Sequence, residues 1–433
     1  GGGALAGIAA LPGFPALPGL GRRAPYVSID DSLKVGVVGI GRRASDLLAR
    51  LGHKLPTANV HKSEEFQPIV GVEVAAVCDT FRPNREWAAR AVAVVGPEPA
   101  AYADYRELLA REDLDALIVA TPDFSHAPIA IAAVERGLDV YVEKCLANTP
   151  EQLRALEAAA SAKDRIVQTG YQLRQDEIRK AAAEIVRRGY LGEVRLIRFA
   201  LNRHGAVGRL AHPLLAGGAA PDSEFVDWEL FLAGVAPERP YDPKRYFEWR
   251  LYWDYANGVF GDQLTHVADE VAVVAGLGLP SSATASGGVY EWRDGRETPD
   301  TITAVLEYDE PGTSLVFSNV NSNSHGQDGT TFYGTEGTLE VSWQLRLFPD
   351  RFSAKYAEQV EAGKLDPETP MLELLDPAAA TALQGKPTEL WLAGRGATRT
   401  TRPDGEFDVT RLHLDDFFDA VRTRREPAAG IAT

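Results

Sequence analysis

Cysteine is scarce here: Cys78 and Cys145 are the only two in 433 residues, so no disulfide framework holds the fold and its cores rest on apolar side chains. That scarcity leaves the cellular compartment open. Basic charge is short too, with 45 Lys and Arg against 61 Asp and Glu for a net charge of −16. The basic residues are scattered, and without a basic stripe nucleic acid is excluded as an expected partner. Uninterrupted apolar runs are also missing. The stretch GGGALAGIAALPGFPALPGLG before Arg22 is uncharged but broken by prolines and glycines, so no membrane span is expected. With Met371 as the only methionine, that stretch reads as the apolar tail of an export signal that has lost its basic start, which points to a periplasmic protein. A proline-rich arm lying on a neighbouring subunit of a cytoplasmic protein is the alternative. Both chain ends read as trimmed.

Apolar residues make up 45% and charged residues 24%, ordinary values for a globular chain. The length exceeds what one hydrophobic core supports, so two domains are expected. From Lys34 short apolar runs alternate with helical patterns: KVGVVGI, a helix over 43–51, VEVAAVCD, DALIVA, a helix over 127–136, VYVEK and a helix from Pro150 to 162. Continuous apolar strands between helices mean an α/β fold with a doubly wound parallel sheet. The polar stretch 52–69 reads as a loop inserted before the second strand. After Gly170 the pattern changes. Helices over 177–188 and 262–275 bracket the strand EVRLIRFAL and a long Trp- and Pro-rich stretch; TASGGVY, TITAVLEY, SLVFSNV, TTFYGT and GTLEVS then follow with turn residues between them. Closely spaced runs of that kind mean an antiparallel sheet. Residues 350–405 read as surface loops and a last helix spans 412–422. The expected layout is a signal remnant or arm over 1–31, the parallel-sheet domain over 32–168 and an α+β domain over 169–433.

Gly39, Gly41 and Ala44 fill the three small-residue positions of G-x-G-x-x-G/A directly after the first strand and at a helix start. The first permits a tight turn, the second lets backbone approach a pyrophosphate, and the third lets helix pack on strand while the helix N-terminus faces the anion. Asp79, closing the second strand, is placed to accept hydrogen bonds from the adenosine ribose and to repel a 2′-phosphate. NAD is therefore expected over NADP, although Arg82, three residues on, argues for a phosphate. Gly39 and Asp79 stand 40 residues apart, beyond the usual spacing of about 20, and the 52–69 insertion accounts for the excess.

The stretch ALIVATPDFSHAPIAIAAVERGLDVYVEK, followed by Cys145, resembles the Gfo/Idh/MocA family of glucose-fructose oxidoreductase and inositol dehydrogenase. Ala120, Thr121 and Pro122, then His126, then Val142, Glu143 and Lys144 match that family's A-T-P turn, downstream histidine and V-E-K-P motif, with Cys145 in place of the proline. GYQLR, the turn from Tyr190 to Val194, VDWELFLAG, RLYWDYANGVFGDQLTHVAD and FYGTEGTLEV extend the likeness over most of residues 34–425. It implies a Rossmann domain followed by an α+β domain with a large, mainly antiparallel sheet, an NAD(P)-dependent oxidoreductase acting on a small carbohydrate or polyol, and homo-oligomers paired through the exposed sheet face. It makes Lys144 the catalytic lysine and Asp262 with His266 the D-x-x-x-H pair of the active site. Arg42, Thr121, Pro122, His126, Glu143 and Gln172 fall on the cofactor side.

Side-chain chemistry agrees. Asp262, His266 and Asp269 stand at i, i+4 and i+7, one face of a helix. A histidine can take a hydroxyl proton as hydride leaves carbon, and Lys144 can stabilise charge on the substrate oxygen. Each has a plainer reading: a solvated strand end for Lys144, a satisfied core histidine for His266, a surface charge for Asp269. A carboxylate-His-carboxylate face also suits a metal, but no further Cys or His cluster supports one and none is expected. Cys145 places a thiol near the nicotinamide or is a small buried residue; losing the proline loosens the backbone after Lys144. Substrate contacts are expected from Trp249 among the aromatics of 246–255, from Arg174 and Asp269, with Asn202, His204 and His212 as further candidates. The expected function is oxidation of a secondary hydroxyl on a sugar, inositol or sugar derivative. A redox-neutral glycosidase, lyase or sugar-sugar oxidoreductase with retained cofactor is the alternative, and a sugar-sensing regulator without catalysis is a third.

Overall fold

The computed structural model describes residues 32–53, 66–111, 113–205, 223–326, 329–342, 344–374, 399–402 and 405–431. The signal-like run over 1–31, most of the 52–69 insertion and His212 lie outside the described residues.

The apolar runs of the first domain become β1 (Leu33–Val38), β2 (Val72–Cys78), β3 (Ala100–Tyr102), β4 (Ala116–Val119), β5 (Asp139–Val142) and β6 (Val167–Thr169), all parallel in the order β3-β2-β1-β4-β5-β6. Helices α1 (Arg42–Arg50) and α2 (Arg82–Ala93) cover one face and α3 (Tyr105–Leu109), α4 (Asp123–Glu135) and α5 (Pro150–Lys163) the other. Two-sided cover explains why alternating strand residues such as Val37, Leu117, Ile118, Val119 and Val140 are all fully buried. The three-residue strands β3 and β6, and the helices between β2 and β4, carry too little pattern to stand out in the sequence. Helix α4 starts at Asp123 rather than 127, because Pro122, at φ −62°, caps it and the chain enters the helix at once.

In the second domain α6 (Glu177–Arg187) precedes β7 (Val194–Asn202), and α7 (Thr265–Ala275) precedes β8 (Ser282–Gly288), β9 (Thr301–Tyr308), β10 (Thr313–Val320), β11 (Gly329–Gly334), β12 (Gly337–Val341), β13 (Leu345–Pro349) and β14 (Leu372–Leu374). These strands form one eight-stranded sheet, antiparallel except where β7 pairs with β10. Leu306, Leu315, Ile197, Phe332, Leu339 and Leu347 face one another across successive strands and are buried under α6 and α7. The neighbouring row, Val305, Val316, Arg198, Thr331, Glu340 and Arg346, lies on the other face, half-buried apart from the exposed Arg198. Residues 350–374 are not mere surface loop: Tyr356, Met371 and Leu372 join the buried face, and β14 extends the sheet.

The last helix, α8 (Val409–Thr423), returns to the first domain. Leu414, Phe417 and Phe418 are fully buried against Leu47, Leu48 and Tyr141, and Asp408 forks onto Arg50 with two 2.9 Å hydrogen bonds. Helix α8 therefore completes the core of the first domain from the far end of the chain. His413 Nε2 lies 2.8 Å from the carbonyl of Thr169, in a setting whose burial pushes its pKa from 6.5 down to about 4. The native state then binds fewer protons than the unfolded chain between those values, so stability present above pH 6.5 is lost as pH falls toward 4. The stability difference between the parent and His413→Gln is expected to shrink over that window by up to about 3 kcal/mol, measured by denaturant titration at stepped pH. A gap independent of pH would remove His413 from the acid response.

Candidate active site

The turns leaving β1, β2, β4 and β5 meet where the strand order reverses, the position at which open α/β sheets bind ligands. A cleft of about 760 Å³ opens there. Gly39 has φ +85°, and a Cβ on it would lie 2.6 Å from the Thr121 nitrogen, so only glycine lets the β1 turn pass the β4 turn. At Gly41 a Cβ would meet nothing within 4 Å. No protein atom requires glycine there, and the space it leaves belongs to the cleft. Gly41 caps α1 without any side-chain hydrogen bond, leaving the helix N-terminus open to an anion. Ala44 is fully buried and packs α1 onto the sheet.

Asp79 ties this loop down. Its Oδ2 accepts the Ile40 N–H at 2.6 Å and its Oδ1 the Phe81 N–H at 2.7 Å. Burial pushes its pKa up to about 6 against the pull of those hydrogen bonds. The carboxylate lines the cleft, whereas Arg82 is turned over the Phe225 ring, 4.7 Å away, and does not line it. Asp79→Ala is expected to weaken NADH binding about tenfold and NADPH binding less, since one hydrogen-bonded charge is lost and one repulsion relieved. Fluorescence titration with both nucleotides checks this; an unchanged NADH to NADPH ratio would take cofactor choice away from Asp79.

Sequence reasoning passed over Arg43, the residue beside Arg42 in the same loop. Its Nε donates to Glu143 Oε1 at 2.7 Å, and burial, which opposes its charge, is outweighed by that carboxylate. Glu143 is held in turn by Tyr141 and by the bare face of Gly170. Among the described residues the Nη2 of Arg43 is buried without a hydrogen-bond partner, and so is the Oε1 of Gln172; both residues line the cleft. Open space at Gly41, an uncapped helix start and two buried polar atoms unpaired among the described residues fit a dinucleotide: the loop would hold its pyrophosphate, and Arg43 and Gln172 would offer it polar contacts.

Lys144 follows β5, and Asp262 and His266 come from the second domain. Asp262 sits in a single widened turn, Phe260–Leu264, that leads into α7. Lys144 Nζ donates to Asp262 Oδ1 at 2.8 Å and to the Asp262 carbonyl at 2.9 Å, while Gln263 Nε2 donates to Oδ2 at 2.8 Å. Burial would raise the Asp262 pKa, but Lys144 and Arg250 hold it well below the usual carboxylate range. Burial, with Lys144 next, pushes His266 down to about 3, so its ring is neutral at physiological pH. Among the described residues His266 makes no side-chain hydrogen bond; its ring stands edge-on to Tyr171 at 6.0 Å.

The remaining expected residues divide. Thr121, Pro122, Arg42 and Trp249 line the cleft. His126 lines it as well, but both its ring nitrogens lie 2.7 Å from backbone carbonyls, of Cys145 and Thr121, so it braces two turns. Arg174 and Asp269 do not line the cleft: they pair at 2.6–2.7 Å, and Arg174 also donates to the Ala428 carbonyl. Two helical turns beyond Asp262, about 10 Å up the axis, Asp269 reaches Arg174 and not the cleft. Asn202 and His204 bond to loop carbonyls elsewhere. Cys145 is 6% exposed and does not line the cleft; burial, with Asp123 beside it, pushes its thiol pKa up, and its carbonyl is held by His126.

Residues 33–171 match the oxidoreductase family with an NAD-binding Rossmann fold, and residues 229–340 match the GFO/IDH/MocA C-terminal domain. An inositol 2-dehydrogenase of Salmonella paratyphi B is 31% identical over 163 residues, 37% of this chain and 44% of that protein. A glycosyl hydrolase family 109 protein of Shewanella pealeana is 31% identical over 171 residues, 38% of this chain and 34% of that one. The matched stretch thus spans less than half of these relatives. Among solved structures, an oxidoreductase domain protein from Kribbella flavida covers 93% of both chains at 20% identity and TM-score 0.61. A levoglucosan dehydrogenase in complex with NADH and L-sorbose covers 93% of this chain and 92% of its own at 19% identity and TM-score 0.61. Two matched domains in the right order, on this fold and around this cleft, place the chain in the Gfo/Idh/MocA family of NAD-binding oxidoreductases.

Proposed function

We propose that this chain oxidises a secondary hydroxyl of a sugar, an inositol or a sugar derivative by hydride transfer to NAD. One observation carries the reading: Lys144, Asp262 and His266 line the same cleft as the Gly39–Gly41 loop and Asp79. NAD held on that loop supplies the hydride acceptor. Lys144 has three N–H donors, two of them committed to Asp262; the third donates to the substrate hydroxyl and stabilises charge developing on its oxygen. Asp262, held ionised, fixes the ammonium in place. His266, neutral and, among the described residues, without a hydrogen-bond partner, accepts the hydroxyl proton as the C–H bond gives up its electron pair. Incubating the protein with NAD and a panel of polyols is expected to produce reduced-nicotinamide absorbance. No reduction by any of them while NAD stays bound would overturn net oxidation.

The likeness to glycosyl hydrolase family 109 proteins favours a second reading, in which oxidation at C3 acidifies the C2 proton, a glycosidic substituent is eliminated and the cofactor is restored within the cycle. Glycoside cleavage without added NAD, lost when bound cofactor is stripped, would support it; strict dependence on added NAD would oppose it. The half-buried second face of the eight-stranded sheet, which no described helix covers, supports pairing with a second copy, to be checked by light scattering, where a monomer mass would count against it.

A further inference from the structure

We propose that Arg250 is the specificity residue of this cleft and that it selects substrates carrying a carboxylate, so that the sugar derivative oxidised is a sugar acid. The inference rests on the dehydrogenase reading for the identity of the cleft, and on Arg250 for the substrate class. Arg250 lies in the short turn Trp249–Leu251 and lines the cleft beside Lys144, Asp262 and His266. Its backbone is anchored: Leu251 is 1% exposed, the Leu251 carbonyl accepts the N–H groups of Glu297 and Thr298, and Thr298 Oγ1 donates to the Arg250 carbonyl. Its guanidinium carbon sits 4.0 Å from the centroid of the Trp249 ring, a contact that fixes the plane and leaves the N–H edges free.

The neighbouring carboxylate does not use those donors. Asp262 Oδ1 takes Lys144 at 2.8 Å and Oδ2 takes Gln263 at 2.8 Å, while Arg250 Nε stands 3.8 Å from Oδ1, beyond hydrogen-bond reach. Among the described residues the Arg250 guanidinium makes no side-chain hydrogen bond, though its side chain is only 28% exposed. Asp123 also lines the cleft, buried beside Gly261 and Cys145; burial raises its pKa against the pull of His126, Arg250 and Lys144, and His266 is neutral. Among the described residues neither carboxyl hydrogen-bonds the Arg250 guanidinium, and its planar fork is open to the cleft. A single carboxylate matches such a fork with two parallel hydrogen bonds. A phosphate dianion needs a second cation, and Lys144 is committed to Asp262.

The test compares glucuronate and gluconate with glucose and sorbitol, and with glucose 6-phosphate, in two readouts: calorimetric binding to the NADH-loaded protein, and NAD reduction. The parent protein is expected to bind and oxidise a sugar acid at least about tenfold better than its neutral counterpart. Arg250→Gln is expected to lower that ratio by about 30-fold, with Arg250→Lys between, as loss of a charged bidentate pair predicts. Equal use of acid and neutral sugar, preference for the phosphate, or a ratio unchanged by Arg250→Gln would each overturn the proposal while leaving the dehydrogenase reading intact. Selective binding of the acid through Arg250 without any NAD reduction would uphold the residue's role and overturn the dehydrogenase reading.

Discussion

Lys144→Ala is expected to lower turnover by about 10²–10³-fold, the range for removing one donor to a developing oxyanion, while NADH affinity changes by less than about threefold. The reasoning is geometric. The ammonium bonds to Asp262, not to the dinucleotide loop, so truncation removes the donor to the substrate oxygen and leaves the Gly39–Gly41 cradle and Asp79 untouched. Lys144→Arg keeps the charge but cannot place a single N–H in the same position, and is expected to recover less than a tenth of the loss. Steady-state turnover at saturating NAD, paired with fluorescence titration of NADH, separates the two effects. If turnover survived in Lys144→Ala, stabilisation of the charge on the substrate oxygen would have to move to Arg250.

Two glycines two residues apart are expected to fail for different reasons. Gly39→Ala forces a side chain into a φ of +85° with its Cβ 2.6–2.7 Å from Thr121 backbone atoms. Left-handed strain of about 1–2 kcal/mol adds to a clash that only backbone movement relieves, so a stability loss of about 3 kcal/mol or more is expected, and cofactor binding goes with it. Gly41→Ala has an ordinary φ of −81° and open space around its new methyl. It should fold with stability within about 1 kcal/mol of the parent and yet lose NADH affinity at least about tenfold, because the methyl occupies the approach of the pyrophosphate. Thermal unfolding and nucleotide titration on the same two variants decide it. Unchanged affinity in Gly41→Ala would place the pyrophosphate elsewhere.

What could be read from the sequence was local. Gly39, Gly41, Ala44 and Asp79 are recognisable because a strand, a turn and a helix start occupy a few consecutive residues, each with its own residue requirement. Lys144, Asp262 and His266 were legible through short motifs, and all three line the cleft. What escaped depends on partners far away in the chain. Arg43 matters through Glu143, one hundred positions on, and Arg250 through what Asp262 does not offer it. Arg174 and Asp269 look like two pocket residues until the fold brings them together and to Ala428. Helix α8 reads as the end of the second domain, yet Phe417 and Phe418 complete the first; an amphipathic stripe declares that it will be buried, not against what.

The central claim is that substrate hydride reaches a nicotinamide held on the Gly39–Gly41 loop, beside Lys144 and His266. Its most direct measurement is isotope transfer: the NAD-loaded protein is mixed with sugars, inositols and sugar acids deuterated at carbon, and the nucleotide is recovered for mass spectrometry. One deuterium on the recovered nicotinamide, lost in Lys144→Ala, is the predicted result. Nicotinamide that stays unlabelled with every substrate, in protein shown by titration to be saturated with NAD, would contradict it.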